Sequence, residues 1–436
     1  MYLKFAFRVA ALIGFCWACL PTAQAQVSLY EHTLKDRGVL MGGMGIGVID
    51  GDPHFIMNLR PELAFGKFGV GLDINLRYNT ETGELRNEDW DQGYDFLRAI
   101  RYMRYGYKRN PEPIYTRLGA LDAARLGHGF IMNYYNNSLI YDQRKVGLEL
   151  DYDFGIGGFE SMTNNLGRSE IFGGRVYYRP LQLATNMPIL RNFAIGATYV
   201  TDIDPDNYRG TDDGVTIFGF DAELPIIKTN VASLALYADL AKIVDHGKGQ
   251  AAGVDFHLSG IAGLFEIGAQ LERRFLDPEF IPAYFGPFYE LERDDAVNNK
   301  EAQLHALQKE TRGTYGMLYG HVLNTMRLVG TYERLDGVPK SGRLHIEAAI
   351  PDAVPKIAAR GMYDDRAIDT FSDVFKMDEN SAARLGLGYK IYPFLIFYMD
   401  YLWTFRLDEA TQTYKVQRRF EPQLALSFTF PVGGNK

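Results

Sequence analysis

Residues 68–79 read Phe-Gly-Val-Gly-Leu-Asp-Ile-Asn-Leu-Arg-Tyr-Asn, and the character of the side chain changes at every second position. In a β-strand successive side chains point to opposite faces, whereas a helix repeats about every 3.6 residues. The large apolar side chains of this stretch are Phe68, Val70, Leu72, Ile74, Leu76 and Tyr78, and small or polar residues separate them. The stretch therefore predicts a β-strand with one apolar and one polar face.

The same alternation recurs along the chain, for example at residues 146–155, 218–224, 252–259, 397–406 and 423–430. A transmembrane β-barrel explains it, because apolar faces then contact lipid and polar faces line the interior. We therefore predict an all-β fold, a single large antiparallel transmembrane β-barrel of about 18–20 strands (range about 16–20), with short periplasmic turns and long extracellular loops.

Connection lengths support this prediction. If the N-terminus lies in the periplasm, the predicted long connections (80–94, 204–213, 277–312 and 364–380) all follow odd-numbered strands and fall on one side. A soluble β-sandwich has no reason to sort its loops in this way. The predicted strands 95–108 and 113–135 belong to this scheme, but residues 121–125 (LDAAR) break the alternation and indicate either a bulge or an inward fold.

The N-terminus has the layout of a cleavable secretory signal. Lys4 and Arg8 precede an apolar stretch from Val9 to Leu20, and Ala23-Gln24-Ala25 forms a small-residue cleavage site. The predicted organisation is a signal peptide at 1–25, a short periplasmic segment at 26–37, the barrel at 38–430 and a C-terminal tail at 431–436. Both cysteines, Cys16 and Cys19, lie in the signal, so the exported chain offers no disulfide or thiolate metal site.

Composition excludes several classes of protein. The chain has 46 basic and 54 acidic residues, and loss of Lys4 and Arg8 changes its net charge from −8 to about −10. Nucleic acid is therefore not an expected partner. No apolar run long enough for a membrane-spanning helix follows the signal.

The polar faces of the predicted strands carry charges of both signs. Such residues can line a water-filled path and select the solutes that pass. Alternatively, arginines and carboxylates pair with each other, fill the barrel and leave little or no channel. The expected pore-lining residues are Arg60, Asp73, Arg77, Arg98, Arg104, Glu149, Asp151, Asp153, Arg175, Arg179, Asp221, Glu223, Asp255, Glu266, Glu272, Arg274 and Asp400.

Other motifs predict little chemistry. The eight histidines show no spacing that pairs one of them with a nucleophile, so we expect no enzyme, cofactor or metal. The acidic loop at 202–213 has oxygen ligands at alternate positions but lacks the glycine and glutamate of a calcium loop, so a hydrated loop is the default. The aromatic stretch 280–289 predicts an interfacial belt or loop packing, with a ligand platform as the alternative.

Three segments carry a resemblance to a known class of protein. They are residues 125–130 (RLGHGF), residues 175–181 (RVYYRPL) and the closing strand, which is apolar at Leu424, Leu426, Phe428 and Phe430. They resemble segments of porin-like outer-membrane β-barrel proteins of Gram-negative bacteria. The resemblance implies a passive pore for small hydrophilic solutes. The alternative is a non-conducting barrel that acts as a surface adhesion or assembly platform. The implied partners are outer-membrane lipid, small hydrophilic solutes and the barrel-assembly machinery during biogenesis; association into a homotrimer stays open.

Overall fold

The computed structural model describes residues 37–431, apart from residues 50–51, 91–92, 107, 109–112, 122, 139–144, 206–213, 230, 260–264, 288, 294–298, 323–325, 355, 371, 378–380, 393–394 and 409–412. The predicted signal peptide lies outside the described residues, as do nearly all of the predicted N-terminal segment and C-terminal tail. Those domain boundaries stay predictions.

The described chain is a series of antiparallel strands. The first half of the sheet contains β1 (Arg37–Ile49), β2 (Asp52–Phe65), β3 (Phe68–Leu72), β4 (Ile74–Asn79), β5 (Ile100–Tyr105), β6 (Ile114–Gly119), β7 (Gly147–Asp153), β8 (Gly157–Thr163), β9 (Ile171–Tyr178), β10 (Ala194–Asp202) and β11 (Val215–Lys228). The second half contains β12 (Ala232–Ile243), β13 (Lys248–Ser259), β14 (Phe265–Leu276), β15 (Thr311–Val322), β16 (Met326–Leu335), β17 (Gly342–Val354), β18 (Ile357–Ile368), β19 (Ser381–Tyr392), β20 (Leu395–Asp408) and β21 (Thr413–Pro431).

All 21 segments belong to one sheet. Segments β3 and β4 both pair with β2 and are separated only by Asp73, so they are two parts of one strand and the described chain has 20 strands. Each strand pairs with its sequence neighbours, and β21 pairs with β1 from Arg37 opposite Pro431 to Met44 opposite Leu424. The ladders thus return to the first strand, and the strand number lies within the predicted range of 16–20.

The outer surface of the sheet is apolar. Phe220 and Leu271 are 65% and 57% exposed, and similarly exposed apolar side chains recur on the same face of most strands. Their sequence neighbours Asp221 and Glu272 are buried on the opposite, inner face. Water would penalise an apolar surface of this extent, and hydrocarbon does not. The alternation in the sequence therefore separates a lipid-facing surface from a charged interior, as predicted.

Connections sort by side, with one exception. The long ones, at 80–99, 120–146 and 277–310, all lie at one end of the barrel, which we call the long-connection mouth. The connection at 179–193 is also long but lies at the other end, because β9 runs antiparallel to β8 and β10 and therefore ends there.

Short helices occur only within connections in the described part of the chain. They are α1 (Gly93–Arg98), α2 (Pro188–Arg191), α3 (Tyr289–Arg293) and α4 (Lys300–Ala306), with 3₁₀ turns at Asn87–Asp89 and Asp373–Phe375. None of the described helices is long and apolar enough to cross a membrane.

Candidate functional site

The predicted strand at 113–135 is wrong beyond its first part. Strand β6 ends at Gly119, whose φ of +118° lies in a region that favours glycine. The following residues 120–137, which we call the first infolded segment, enter the interior of the barrel. Leu121, Ala124, Met132 and Tyr135 of this segment are completely buried. Of the two alternatives for the LDAAR stretch, the inward fold is the one observed.

A second infolded segment, residues 277–293, packs against the first. The Ala283 amide donates to the carbonyl oxygen of Phe130 at 2.7 Å, and the Phe285 amide donates to that of Ile131 at 3.2 Å. The rings of Phe130 and Phe280 stack with their centroids 5.5 Å apart. The aromatic side chains of this segment thus form an internal core with the first segment, so the predicted loop packing is observed and a membrane-interface belt is not.

The first infolded segment is bonded to the barrel wall. The Nε2 atom of His128 lies 3.1 Å from Glu223 and its Nδ1 atom 3.5 Å from Asp239, while its ring stacks on Tyr237 with the centroids 4.0 Å apart. Arg125 donates to the Gln270 amide oxygen at 3.0 Å. These bonds connect the first infolded segment to strands β11, β12 and β14.

Arg175 and Arg274, two of the predicted pore-lining residues, are buried in ion pairs. Arg175 donates to both carboxylate oxygens of Asp221, at 2.8 and 2.6 Å, and also contacts Glu160 at 3.3 Å. Arg274 pairs with Glu272 on the same strand at 2.6 Å. Side chains with this burial fill the interior beside the infolded segments, and they do not face open water.

The other predicted residues lie in more varied surroundings. Arg179 pairs with Asp153, Arg77 with Asp89, Arg98 with Asp95, Lys108 with both Glu149 and Asp151, His128 with Glu223, and His257 with Glu266. Asp73 accepts from Asn75, Arg104 donates to the Gly106 carbonyl, and Asp255 lies opposite Gln270 in the ladder. The side chains of Arg60 and Asp400 lie outside what is described, and in the ladders these residues oppose Met41 and Glu421.

One of these predictions is wrong in its placement. Arg98 was expected on a strand at 95–108, but it lies in α1, within the connection 80–99 at the long-connection mouth. The physical reason is local: β5 begins only at Ile100, and the Arg98 guanidinium bonds to Asp95 three residues earlier, as side chains one helical turn apart do.

The sequence analysis missed the residues that hold the infolded segments, namely Arg125, His128, Gln270 and Arg293. Arg125 is the last residue of the LDAAR stretch, which breaks the strand period, and His128 follows three positions later. That break was the available signal. It could not indicate which wall residues would be their partners, because these lie more than 90 positions further along the chain.

The interior is not filled evenly. On β14 the inward-facing side chains of Gln270, Glu272 and Arg274 are at most 2% exposed, while Glu266, near the start of the strand, is half-buried. On β17 and β18, by contrast, the inward-facing Glu347 and Arg360 are only partly buried. The infolded segments therefore cover the wall near β14 more completely than the wall at β17 and β18.

A network of charges joins the connections at the long-connection mouth. Lys145 bonds to Glu170 at 3.0 Å and to Glu290 at 2.8 Å, and Arg293 bonds to Glu170 at 3.1 Å. Burial by itself raises the pKa of the Glu170 carboxyl, but the charges of Lys145, Arg293 and Arg168 outweigh burial and hold the pKa below its ordinary value of 4.5. Glu170 is therefore ionised at neutral pH and ties the connection 120–146 to α3.

Taken together, a lipid-facing outer surface and a charged interior are the features of a bacterial outer-membrane barrel. The chain is a barrel protein of the outer membrane.

Comparisons with known proteins give a general likeness. No protein-family model matches the chain, and no curated protein matches its sequence. The chain is similar to the outer membrane protein OpdK of Pseudomonas aeruginosa, with 10% identity and a TM-score of 0.30 over 90% of this chain and 98% of that chain. It is similar to OccK9 (OpdG) of the same organism, with 12% identity and a TM-score of 0.32 over 91% of this chain and 98% of that chain. It is also similar to Wzi of Escherichia coli, described as an outer membrane protein involved in group 1 capsule assembly and a carbohydrate-binding β-barrel. The identity is 10% and the TM-score 0.35, over 96% of this chain and 95% of that chain.

Proposed function

We propose that this barrel is a channel for passive diffusion of small hydrophilic solutes, and that its path runs off-centre, between the infolded segments and the wall formed by β17 and β18. The observation that carries the proposal is the uneven burial of the inner face. Gln270, Glu272 and Arg274 on β14 are sealed beneath the infolded segments, whereas Glu347 and Arg360 keep part of their surface accessible.

The chemistry of this wall suits polar solutes. His345 bonds to Asp364 at 2.7 Å, and these two residues lie directly opposite each other in the β17–β18 ladder. Glu347 and Arg360 add one charge of each sign on the same inner face. Charges of both signs along a narrow water path exclude apolar molecules and set a field across the path. We propose that the predicted pore-lining residues, many of which are held in ion pairs, shape the path and do not contact the solute.

Cysteine substitution tests the position of the path, because the only cysteines of the chain lie in the predicted signal peptide. Glu347→Cys, folded and inserted in a planar bilayer, should give a single-channel current that falls in a step when a charged methanethiosulfonate reagent is added. The matched controls are Gln270→Cys, inward-facing but buried, and Ile346→Cys, the neighbour on the outer face. Both controls should keep their current.

Two outcomes would contradict the proposal. Block at Gln270→Cys with none at Glu347→Cys would place the path elsewhere in the interior. Absence of any current from correctly folded protein would favour the second candidate, a non-conducting platform for adhesion or assembly. The ion pairs that fill the barrel beside β9, β11 and β14 are the observation that supports this second candidate.

The last strand is the segment relevant to assembly of the barrel in the membrane. We propose that β21, with apolar residues at Leu424, Leu426, Phe428 and Phe430, is the segment that the barrel-assembly machinery recognises, since it is also the strand that pairs with β1. A homotrimer stays a prediction.

A further inference from the structure

Three side chains converge at the long-connection mouth, outside the network around Glu170. They are His246, in the turn between β12 and β13, and Glu279 and His305, both in the connection 277–310. One carboxylate oxygen of Glu279 lies 3.1 Å from Nδ1 of His246, and its other oxygen lies 3.1 Å from Nδ1 of His305. The potential ligand atoms of all three residues lie within 4.8 Å of one another.

Backbone hydrogen bonds hold Glu279 between the two histidines. Its amide donates to the Leu307 carbonyl at 2.7 Å, and its carbonyl accepts from the Gly247 amide at 3.0 Å. Each of these partners lies one or two positions from a histidine. Glu279 also has a φ of +55°, which a residue other than glycine adopts at some cost and keeps where its surroundings hold it.

Two further features fix the histidines. A Cβ at Gly247 would collide with the carbonyl oxygen of Pro278, so glycine is needed for the turn of His246 to approach the connection this closely. His305 lies in the last turn of α4, which is capped by the Asn299 side chain accepting from the Ala302 amide at 2.8 Å and is anchored by the buried Leu304. The triad is thus assembled by the backbone of both elements.

We propose that His246, Glu279 and His305 form a binding site for a divalent transition-metal ion, with Zn²⁺ as the best fit. Two imidazole nitrogens and one carboxylate are a ligand set that zinc takes, with water in the fourth position. Zinc–ligand bonds of about 2.0–2.1 Å in a tetrahedron place ligand atoms about 3.3 Å apart. Each oxygen of Glu279 lies 3.1 Å from the nitrogen of one histidine, and the ligand atoms of the three residues all lie within 4.8 Å of one another, so zinc would draw them closer by at most about 1.5 Å.

The site is open to solution, and this determines what the ion would do. The side chains of His246, Glu279 and His305 are 22%, 30% and 52% exposed, so an ion can enter and keep a bound water. A bound ion would clamp the β12–β13 turn to the connection that carries the second infolded segment. The inference goes beyond the proposed channel function and does not depend on it.

Zinc titration of the full-length folded protein, purified in detergent without a polyhistidine tag, tests the site. We expect one Zn²⁺ per chain by calorimetry. Loss of an outer-shell partner already costs about 10- to 100-fold in metal affinity, so His305→Gln and Glu279→Gln, which each remove a direct ligand, should weaken binding at least about a hundredfold. The matched control is His257→Gln, because His257 pairs with Glu266 at 2.9 Å and belongs to no three-residue ligand group among the described residues. Its affinity should equal that of the unmodified chain.

A second measurement needs no variant. Co²⁺ added to the unmodified protein should give the visible absorption of a four-coordinate ion, and one equivalent of Zn²⁺ should abolish it. Absence of stoichiometric zinc binding by the unmodified protein would overturn the proposal, as would equal affinity in the His305→Gln and unmodified proteins. A six-coordinate cobalt spectrum would overturn the assignment of a tetrahedral zinc site.

Discussion

At the scale of single residues, the interior of this barrel is a set of paired charges in which several members have almost no access to water. Arg175 shows the principle. It makes two charge-assisted bonds to Asp221 and a third contact to Glu160, and it is 6% exposed. Breaking a buried pair costs more than the pair contributes, because the remaining charge loses both water and its partner.

Arg175→Met should therefore lower the free energy of unfolding by about 3–5 kcal/mol, since the buried Asp221 would be left without its cation beside the half-buried Glu160. Urea unfolding of the folded protein in lipid, followed by tryptophan fluorescence, measures this change. The matched control is Arg273→Met, which removes an ion pair to Asp336 between two well-exposed side chains and should leave the unfolding midpoint almost unchanged. Equal shifts in both variants would refute the distinction between buried and exposed pairs.

At the scale of elements, the two infolded segments and the connections above them behave as one unit. The segments are joined to each other through backbone bonds at Phe130 and Phe285, and to the connection before β7 through Lys145, Glu170 and Glu290. Many of these links are ionic and lie near the mouth. The unit should therefore respond to pH before the hydrogen-bonded wall does.

Acid should release the charge network at Glu170. Because the pKa of Glu170 is lowered in the folded protein, its pairing stabilises the network above its ordinary pKa of 4.5 and is lost as the pH falls through the lowered value. The hydrogen-exchange protection factors of residues 164–170 and 289–293, which lie in connections, should consequently fall between about pH 5 and about pH 3, while amides of the wall strands stay protected.

Variants at Glu170 separate this effect from general acid unfolding. In Glu170→Gln the same residues should exchange rapidly at neutral pH and lose most of the pH dependence. Glu84→Gln, at an exposed carboxylate in the connection 80–99, should behave as the unmodified protein. An unchanged pH profile in Glu170→Gln would show that another carboxylate controls the network.

At the scale of the whole molecule, the outer surface of the barrel is apolar and faces hydrocarbon. Twenty strands returning from β21 to β1 leave no unpaired sheet edge along that ladder, which is the condition for a sheet to cross a membrane. The exposed residues Val176, Phe220 and Leu385 lie on three different strands, so the apolar surface extends around the barrel.

Phe220→Arg should destabilise the protein folded in lipid by up to about 2–4 kcal/mol, because a charge on the lipid face must be accommodated in or near hydrocarbon. Phe96→Arg is the matched control, since Phe96 is about as exposed as Phe220 but lies in α1, outside the strands. Folding equilibria in phosphatidylcholine vesicles compare the two. Equal stability of both variants would mean that the surface around Phe220 does not contact lipid.

Much of the architecture could be predicted from local pattern. The alternation at 68–79 predicted β3 and β4. Arg98 and the strand at 113–135 were misplaced, because a few residues with a suitable period cannot reveal that Gly119 turns the chain inward. The triad of His246, Glu279 and His305 was also invisible, since no spacing pattern connects a turn to a helix about 60 positions away.

The sequence by itself determined that the chain forms antiparallel strands with a lipid-facing and a polar side, because the two-residue period is a property of each strand alone. Only the tertiary structure decided how the interior is used. Whether His128 meets Asp239, or Arg175 meets Asp221, depends on which distant strands become neighbours and on an inward fold between them. Such contacts follow from how the strands and the infolded segments assemble in three dimensions, and no local stretch of residues contains that information.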